Sequence, residues 1–354
     1  MVIDPDKIKK ILVIRPDAIG DVVLTLPAVH ALRQHFPKAK ITVLAREYTA
    51  PLLLNHPDID QVIFDYDLKK FKFDLSVNYY NQFKDTYAVF RAGIPYRLGD
   101  SSRILTGWMN NLRVFRKWND KTRHEVDLNF DLLAPLGIND RSSKAIIPIN
   151  RSDMGNIDNI LIRKAVLPED FIAVVHIGGS KSHNKSWNAP GYSQLINFLL
   201  DKKGAKVIMT GGQDAKEKAD KILPLCQYRP ISLVDKLSLS ELIALLSKAN
   251  FYFGNDTGPT HIAAALNIPL VVLFTSRWTT PLRWGPWKTR HLVVKNISQC
   301  IDRCYPPNCD SNFCEDEVDP KKVISACETV IDGGGVKEPE ETFRHWYEVS
   351  FAKA

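Results

Sequence analysis

Short apolar runs alternate along the chain with stretches in which apolar residues recur every three or four positions. A strand is predicted over 11–14, followed by a helix on which Val22, Val23, Leu26, Val29, Leu32 and Phe36 share one face. Further strands are predicted over 41–44, 62–64 and 75–77. From 139 to 168 the sequence turns polar and the periodicity weakens, so this stretch reads as an interdomain region. A second series follows, with strands over 172–176, 206–209, 251–253, 270–274 and 292–294. Helices fall between them near 192–200, 215–223, 240–247 and 259–266. Ser238-Leu-Ser-Glu241 has the capping-box pattern at the third of these. Strands alternating with helices predict α/β units with parallel sheets covered on both faces. Two similar units of this kind predict a ligand cleft between domains.

At roughly 150 residues per domain, 354 residues suit two domains. Apolar residues make up 45% and charged residues 25%, which excludes a disordered chain, a collagen and a coiled coil. No apolar run approaches the roughly 18 residues of a membrane span, and 1–10 is charged and lacks a signal-peptide pattern. A cytoplasmic protein is expected. The net charge of +7 is too small for a nucleic-acid-coating protein but suits an anionic ligand or surface. The excess is local. Segment 84–123 holds nine Lys or Arg against three Asp, with Trp108, Phe115 and Trp118 interleaved. It reads either as a solvated face or as a surface for an acidic partner.

Four motifs carry candidate chemistry. Arg15-Pro-Asp-Ala-Ile-Gly-Asp21 lies between the first strand and the first helix, where an open α/β sheet binds ligands. Gly20 is expected to permit a tight turn. Asp21 is either a helix cap or a general base, with Asp17 as a second carboxylate. No G-x-G-x-x-G fingerprint is present here. The loop from His176 to Trp187 offers Gly178, Gly179, Lys181 and Lys185 to an anion, through backbone N–H groups and ammonium charge. A plain surface loop is the alternative. Gly254-Asn-Asp-Thr-Gly-Pro-Thr-His261 joins a strand to a helix whose N-terminus would attract negative charge. A simple N-cap at Asp256 or Thr257 would not account for the whole run. Cys300, Cys304, Cys309 and Cys314 fall within fifteen residues. They suggest a structural zinc or iron site with four thiolates, with free thiols or disulfides as alternatives. Asp58-Ile-Asp60 and Asp65-Tyr-Asp67 match the D-x-D pattern of metal-dependent sugar transfer but read as loop acids.

Taken in order, Arg15…Ala-Ile-Gly-Asp21-Val…Pro27, His176…Lys185-Ser-Trp187, Thr210-Gly-Gly212 and Asn255-Asp-Thr-Gly-Pro-Thr-His261 resemble glycosyltransferase family 9, the ADP-heptose:lipopolysaccharide heptosyltransferases. The resemblance runs from about residue 10 to 330. It implies a GT-B fold: two Rossmann-like domains with parallel sheets facing an interdomain cleft. The acceptor domain would be 1–150. The nucleotide-sugar domain would be 151–335, containing the four-Cys loop at 300–314, and 336–354 would form a tail. The resemblance further implies inverting, metal-independent transfer of heptose from ADP-heptose to the inner core of lipopolysaccharide, an anionic glycolipid. That acceptor implies peripheral contact with the cytoplasmic face of the inner membrane, through 84–123. Asp21 matches the family's base. Arg15, Gly178, Gly179, Lys185, Glu217, Asp256, Thr257, Gly258 and His261 match its donor-binding positions. Where this chain has Gly178-Gly179, some members have hydroxyl side chains, so those contacts would be backbone ones. No cofactor is implied for catalysis, and the cysteines resemble an insert of some members. Transfer from another nucleotide sugar, transfer to a protein, and non-catalytic nucleotide-sugar binding are the alternative readings.

Overall fold

A computed structural model of the protein describes residues 4–117, 120–179, 186–276, 279–295 and 318–337. The chain divides into two units, Met1–Pro148 and Ile149–Ala354.

In the first unit the strands are β1 (Lys10–Ile14), β2 (Lys40–Leu44), β3 (Gln61–Ile63), β4 (Leu75–Asn78), β5 (Tyr96–Asp100) and β6 (Leu112–Val114). They form one parallel sheet in the order β3-β2-β1-β4-β5-β6. The helices are α1 (Ile19–His35), α2 (Phe83–Arg91), α3 (Ile104–Gly107) and α4 (Glu125–Asp131). The six apolar residues predicted to share a face of the first helix are all buried. Each such side chain contributes about 1.5–3 kcal/mol by leaving water. Pro27 lies inside α1. Near this point α4 packs on α1, Asn129 Nδ2 donating to Leu24 O at 3.0 Å. That packing carries the start of α4 toward the end of β1.

In the second unit the strands are β7 (Ile172–His176), β8 (Lys206–Thr210), β9 (Ile231–Ser232), β10 (Phe251–Asn255), β11 (Leu270–Phe274) and β12 (His291–Lys295). The order is β12-β11-β10-β7-β8-β9, again all parallel. Numbered within its own unit, each sheet runs 3-2-1-4-5-6, the Rossmann order. The helices are α5 (Arg151–Arg163), α6 (Ala189–Asp201), α7 (Lys216–Ile222), α8 (Leu239–Leu246), α9 (Gly258–Ala265), α10 (Pro281–Trp284) and α11 (Pro320–Ile331). The capping box at Ser238 and Glu241 forms in full. Strands β7, β10 and β11 are buried along their whole length, as near-continuous apolar runs in a covered parallel sheet should be.

The pattern misleads in several places. Residues 151–163, expected within a loose linker, form α5, capped by Asn150 and packed on α8. Only Ile157 and Leu161 of this helix are buried, so its apolar stripe is thin. Strands β5 and β6 were not predicted because they carry Arg97, Asp100 and Arg113. Gly20 marks no turn; it is the second residue of α1 and is absent from the positive-φ glycines.

Candidate active site

The strand order reverses between β1 and β4 in the first unit and between β7 and β10 in the second. Beyond the carboxyl ends of such strand pairs an open sheet forms a crevice for ligands.

In the first unit this position holds an ion cluster. Arg15 follows β1 directly and is 4% exposed. Its Nη1 donates to Tyr79 O, just after β4, at 2.7 Å. Its Nη2 donates to Asp21 Oδ1 at 2.7 Å and lies 3.7 Å from Glu125 and 4.0 Å from Asp17. Glu125, buried at the start of α4, also meets Arg116 Nη2 at 3.2 Å. Burial works against the Arg15 charge, but the carboxylates of Asp21, Glu125 and Asp17 outweigh it and push its pKa above the ordinary value. Asp21 is the third residue of α1, within the positive end of the helix dipole. The N-cap position belongs to Ala18, which makes no side-chain cap bond. The Asp21 side chain keeps 22% of its surface open. It is therefore a fixed carboxylate with an accessible edge.

In the second unit the same position is built from hydrogen bonds. His176 ends β7, and its Nδ1 meets Thr210 Oγ1 of β8 at 3.0 Å. Burial lowers its pKa to about 4, so the ring is neutral at pH 7. Gly178 comes so close to this ring that a Cβ would lie 2.6 Å from Nε2. Asn255, fully buried at the end of β10, donates through Nδ2 to Gly178 O at 3.1 Å and to Tyr192 OH of α6 at 2.8 Å. One amide thus ties together β10, the turn after β7 and α6. Thr257 is the N-cap of α9, yet its hydroxyl donates back to Asn255 O at 3.3 Å and caps nothing. Gly258 and Pro259 open the helix, which therefore has no side-chain cap. Asp256 and His261 are buried beside this turn. Glu217 is exposed in the first turn of α7, just beyond the carboxyl end of β8.

The family-9 model described as glycosyltransferase family 9 (heptosyltransferase) matches residues 64–307. The chain belongs to glycosyltransferase family 9. Lipopolysaccharide heptosyltransferase 3 of Escherichia coli is 27% identical over 76% of this chain and 83% of its own length. The glycosyl transferase family 9 structure from Veillonella parvula superposes with a TM-score of 0.82 at 22% identity, over 94% of this chain and 99% of that one. The E. coli heptosyltransferase WaaC, solved with ADP, gives 0.61 at 20% identity, over 81% and 93%. The fold is GT-B, two Rossmann-like units in one chain, and the protein is a glycosyltransferase.

The candidate residues of this glycosyltransferase divide between the two crevices. Arg15 and Asp21 meet directly. Gly178, Gly179, Glu217, Asp256, Thr257, Gly258 and His261 all lie at the carboxyl edge of β8, β7 and β10. Lys185 and the four cysteines lie outside the described residues, as does Trp118. Among the described residues, no group of three His, Cys, Asp or Glu side chains is arranged to hold a metal ion. The D-x-D acids serve local structure: Asp58 meets His30 at 2.9 Å, Asp60 pairs with Arg33, and Asp65 meets Lys70 at 2.7 Å. Sequence reasoning missed Glu125, Arg116 and Tyr192. Glu125 is a single acid among many, and only the packing of α4 on α1 gives it a role. Asn255 lay inside a recognised motif, but its part as a brace is visible only from its partners.

Proposed function

We propose that the protein transfers heptose from ADP-heptose, with inversion and without a catalytic metal ion, to the inner core of lipopolysaccharide at the cytoplasmic face of the inner membrane. Membership of a heptosyltransferase family supports this reading, as do the lipopolysaccharide-directed E. coli relative and the ADP-bound state of WaaC. The observation that carries it is the Arg15–Asp21 pair at the tip of β1.

An acceptor hydroxyl attacks the anomeric carbon as the bond from that carbon to the ADP oxygen breaks. Asp21 takes the hydroxyl proton. The hydrogen bond from Arg15 fixes its direction. The carboxylate suffices because the hydroxyl becomes acidic as its oxygen bonds to carbon. Positioned base assistance is worth roughly 10²–10⁴-fold. The second unit takes the donor. Lys185, the Gly178–Gly179 backbone and the N-terminus of α9 at Thr257 and Gly258 stabilise charge on the departing diphosphate. Fixed positive groups of this kind can do the work of a divalent cation. Asp256 and His261 orient the donor, and Glu217 meets the ribose.

Thermal-shift titration with ADP, UDP and GDP tests the donor. Stabilisation by ADP alone is expected, and a preference for UDP or GDP would replace ADP-heptose in this reading. Mass spectrometry of lipopolysaccharide from a deletion strain tests the reaction. Loss of one heptose and everything beyond it is expected; an intact core removes the proposal.

A further inference from the structure

The face made by α2 and α3 in the first unit is apolar and open to solvent. Phe83, Tyr87 and Phe90 follow one another at helical spacing on α2, and all three are exposed. Phe83 and Tyr87 stack at 5.7 Å, and Phe90 meets Trp108 edge-on at 5.1 Å across to α3. On α3, Ile104 is 90% exposed and Leu105 70%. The opposite face of α2 buries Asp85, Thr86 and Val89, so the helix is held to the sheet by its other side. Contiguous exposed aromatic and aliphatic side chains of this size mark a surface that meets something apolar.

Charge says what that something is. Six of the nine basic residues in 84–123 are exposed: Lys84, Arg91, Arg103, Arg113, Lys117 and Lys121. Two of the three acids in the segment point inward. Asp85 accepts from Tyr66 OH at 2.6 Å, and Asp100 accepts from Asn81, Ser102 and the Arg116 N–H. The surface therefore presents aromatics and aliphatics set among cations, with two of its three acids withdrawn. A protein partner of ordinary composition would not call for both features. The boundary of an anionic bilayer does, because it offers acyl chains just beneath negative headgroups.

Topology gives the surface its place. Phe83 begins α2 five residues after β4 ends, and Ile104 begins α3 four residues after β5 ends. Both helices therefore start at the carboxyl edge of the sheet that carries Arg15 and Asp21. We infer that the α2–α3 face docks on an anionic lipid surface, Ile104 and Leu105 entering the headgroup–acyl boundary while Lys84, Arg91 and Arg103 meet lipid phosphates. This rests on the proposed glycolipid acceptor and gives it a route: docking brings the edge that holds Asp21 to the headgroup layer, where the acceptor sugar lies.

The test is co-sedimentation of the full chain with vesicles of phosphatidylcholine alone and of phosphatidylcholine mixed with phosphatidylglycerol, whose negative surface attracts basic segments. Binding is expected to the anionic vesicles only. Lys84→Ser/Arg91→Ser/Arg103→Ser should lower partitioning roughly 100-fold, from the usual gain per basic residue at such a surface. Ile104→Ser/Leu105→Ser should lower it at least about tenfold, and being on the surface should leave the melting temperature unchanged. Both variants should keep wild-type turnover on a delipidated, water-soluble core oligosaccharide and lose it on acceptor embedded in vesicles. Equal vesicle binding by wild type and both variants overturns the inference, as does self-association through this face seen by sedimentation velocity. Absence of heptose transfer by the wild type, with vesicle binding intact, would instead count against the proposed reaction.

Discussion

The two crevices occupy the same topological position in sheets of the same strand order, yet they are built from opposite materials. In the first unit, charge decides: one buried guanidinium faces three carboxylates, and a second arginine shares one of them. In the second, the frame is made of neutral groups, with Asp256 buried beside it: a histidine kept uncharged by burial, a threonine, a tyrosine and a buried amide hold a glycine turn against a helix start. A charged crevice can fix a base for proton transfer. A neutral frame of backbone and amide leaves positive dipole ends available to an anion. The fold supplies the position, and local residues supply the chemistry.

Four experiments would break or sharpen this contrast. The largest effect is expected from Asp21→Asn. Transfer should fall by roughly 10²–10⁴-fold with ADP affinity unchanged by calorimetry, because only proton removal is lost. Full turnover would take the base role away from Asp21. Next, Glu125→Gln removes one carboxylate from a buried group with two arginines. Unfolding free energy should drop by about 3 kcal/mol in denaturant titration. Transfer should slow as well, since Arg15 loses one of the carboxylates that hold it against Asp21. Wild-type turnover would show that Glu125 serves packing only.

The third concerns pH and the second unit. His176 has a folded pKa of about 4, below the ordinary 6.5. The unfolded chain therefore binds the extra proton between these values. The stabilising contribution is whole above pH 6.5 and shrinks as pH falls toward 4, by about 3 kcal/mol in total. Denaturant midpoints across that window should fall in the wild type and fall less in His176→Gln; parallel curves would mean the ring is not held neutral. The smallest effect is expected from Asn255→Ala. It leaves Gly178 O and Tyr192 OH without their shared donor, at about 1–3 kcal/mol. ADP affinity should weaken while the pH profile set by the first unit stays in place. Unchanged ADP binding would separate the Asn255 brace from the donor site.

Much of this architecture could be read from residues alone, and for a physical reason. A strand buried on both faces must be apolar throughout, so β1, β7 and β11 announce themselves as runs. A helix laid on a sheet must repeat its apolar residues at helical spacing, so α1 does too. The motifs after β1, β7 and β10 were visible because glycines, prolines and small polar residues cluster where strands give way to helices. What stayed hidden lacks such signals. Strand β5 survives with Arg97 and Asp100 in it because those groups find partners from neighbouring segments. Helix α5 rests on two buried residues. The link from Glu125 to Arg15 spans more than a hundred positions and exists only because α4 packs on α1.

The sequence alone thus determined the two α/β units and the stations at which chemistry would sit, since periodicity and turn residues are local properties. Only the tertiary structure decided which side chains share a proton, a charge or a hydrogen bond at those stations. Such pairings arise when distant segments pack together, and spacing along the chain carries no record of them.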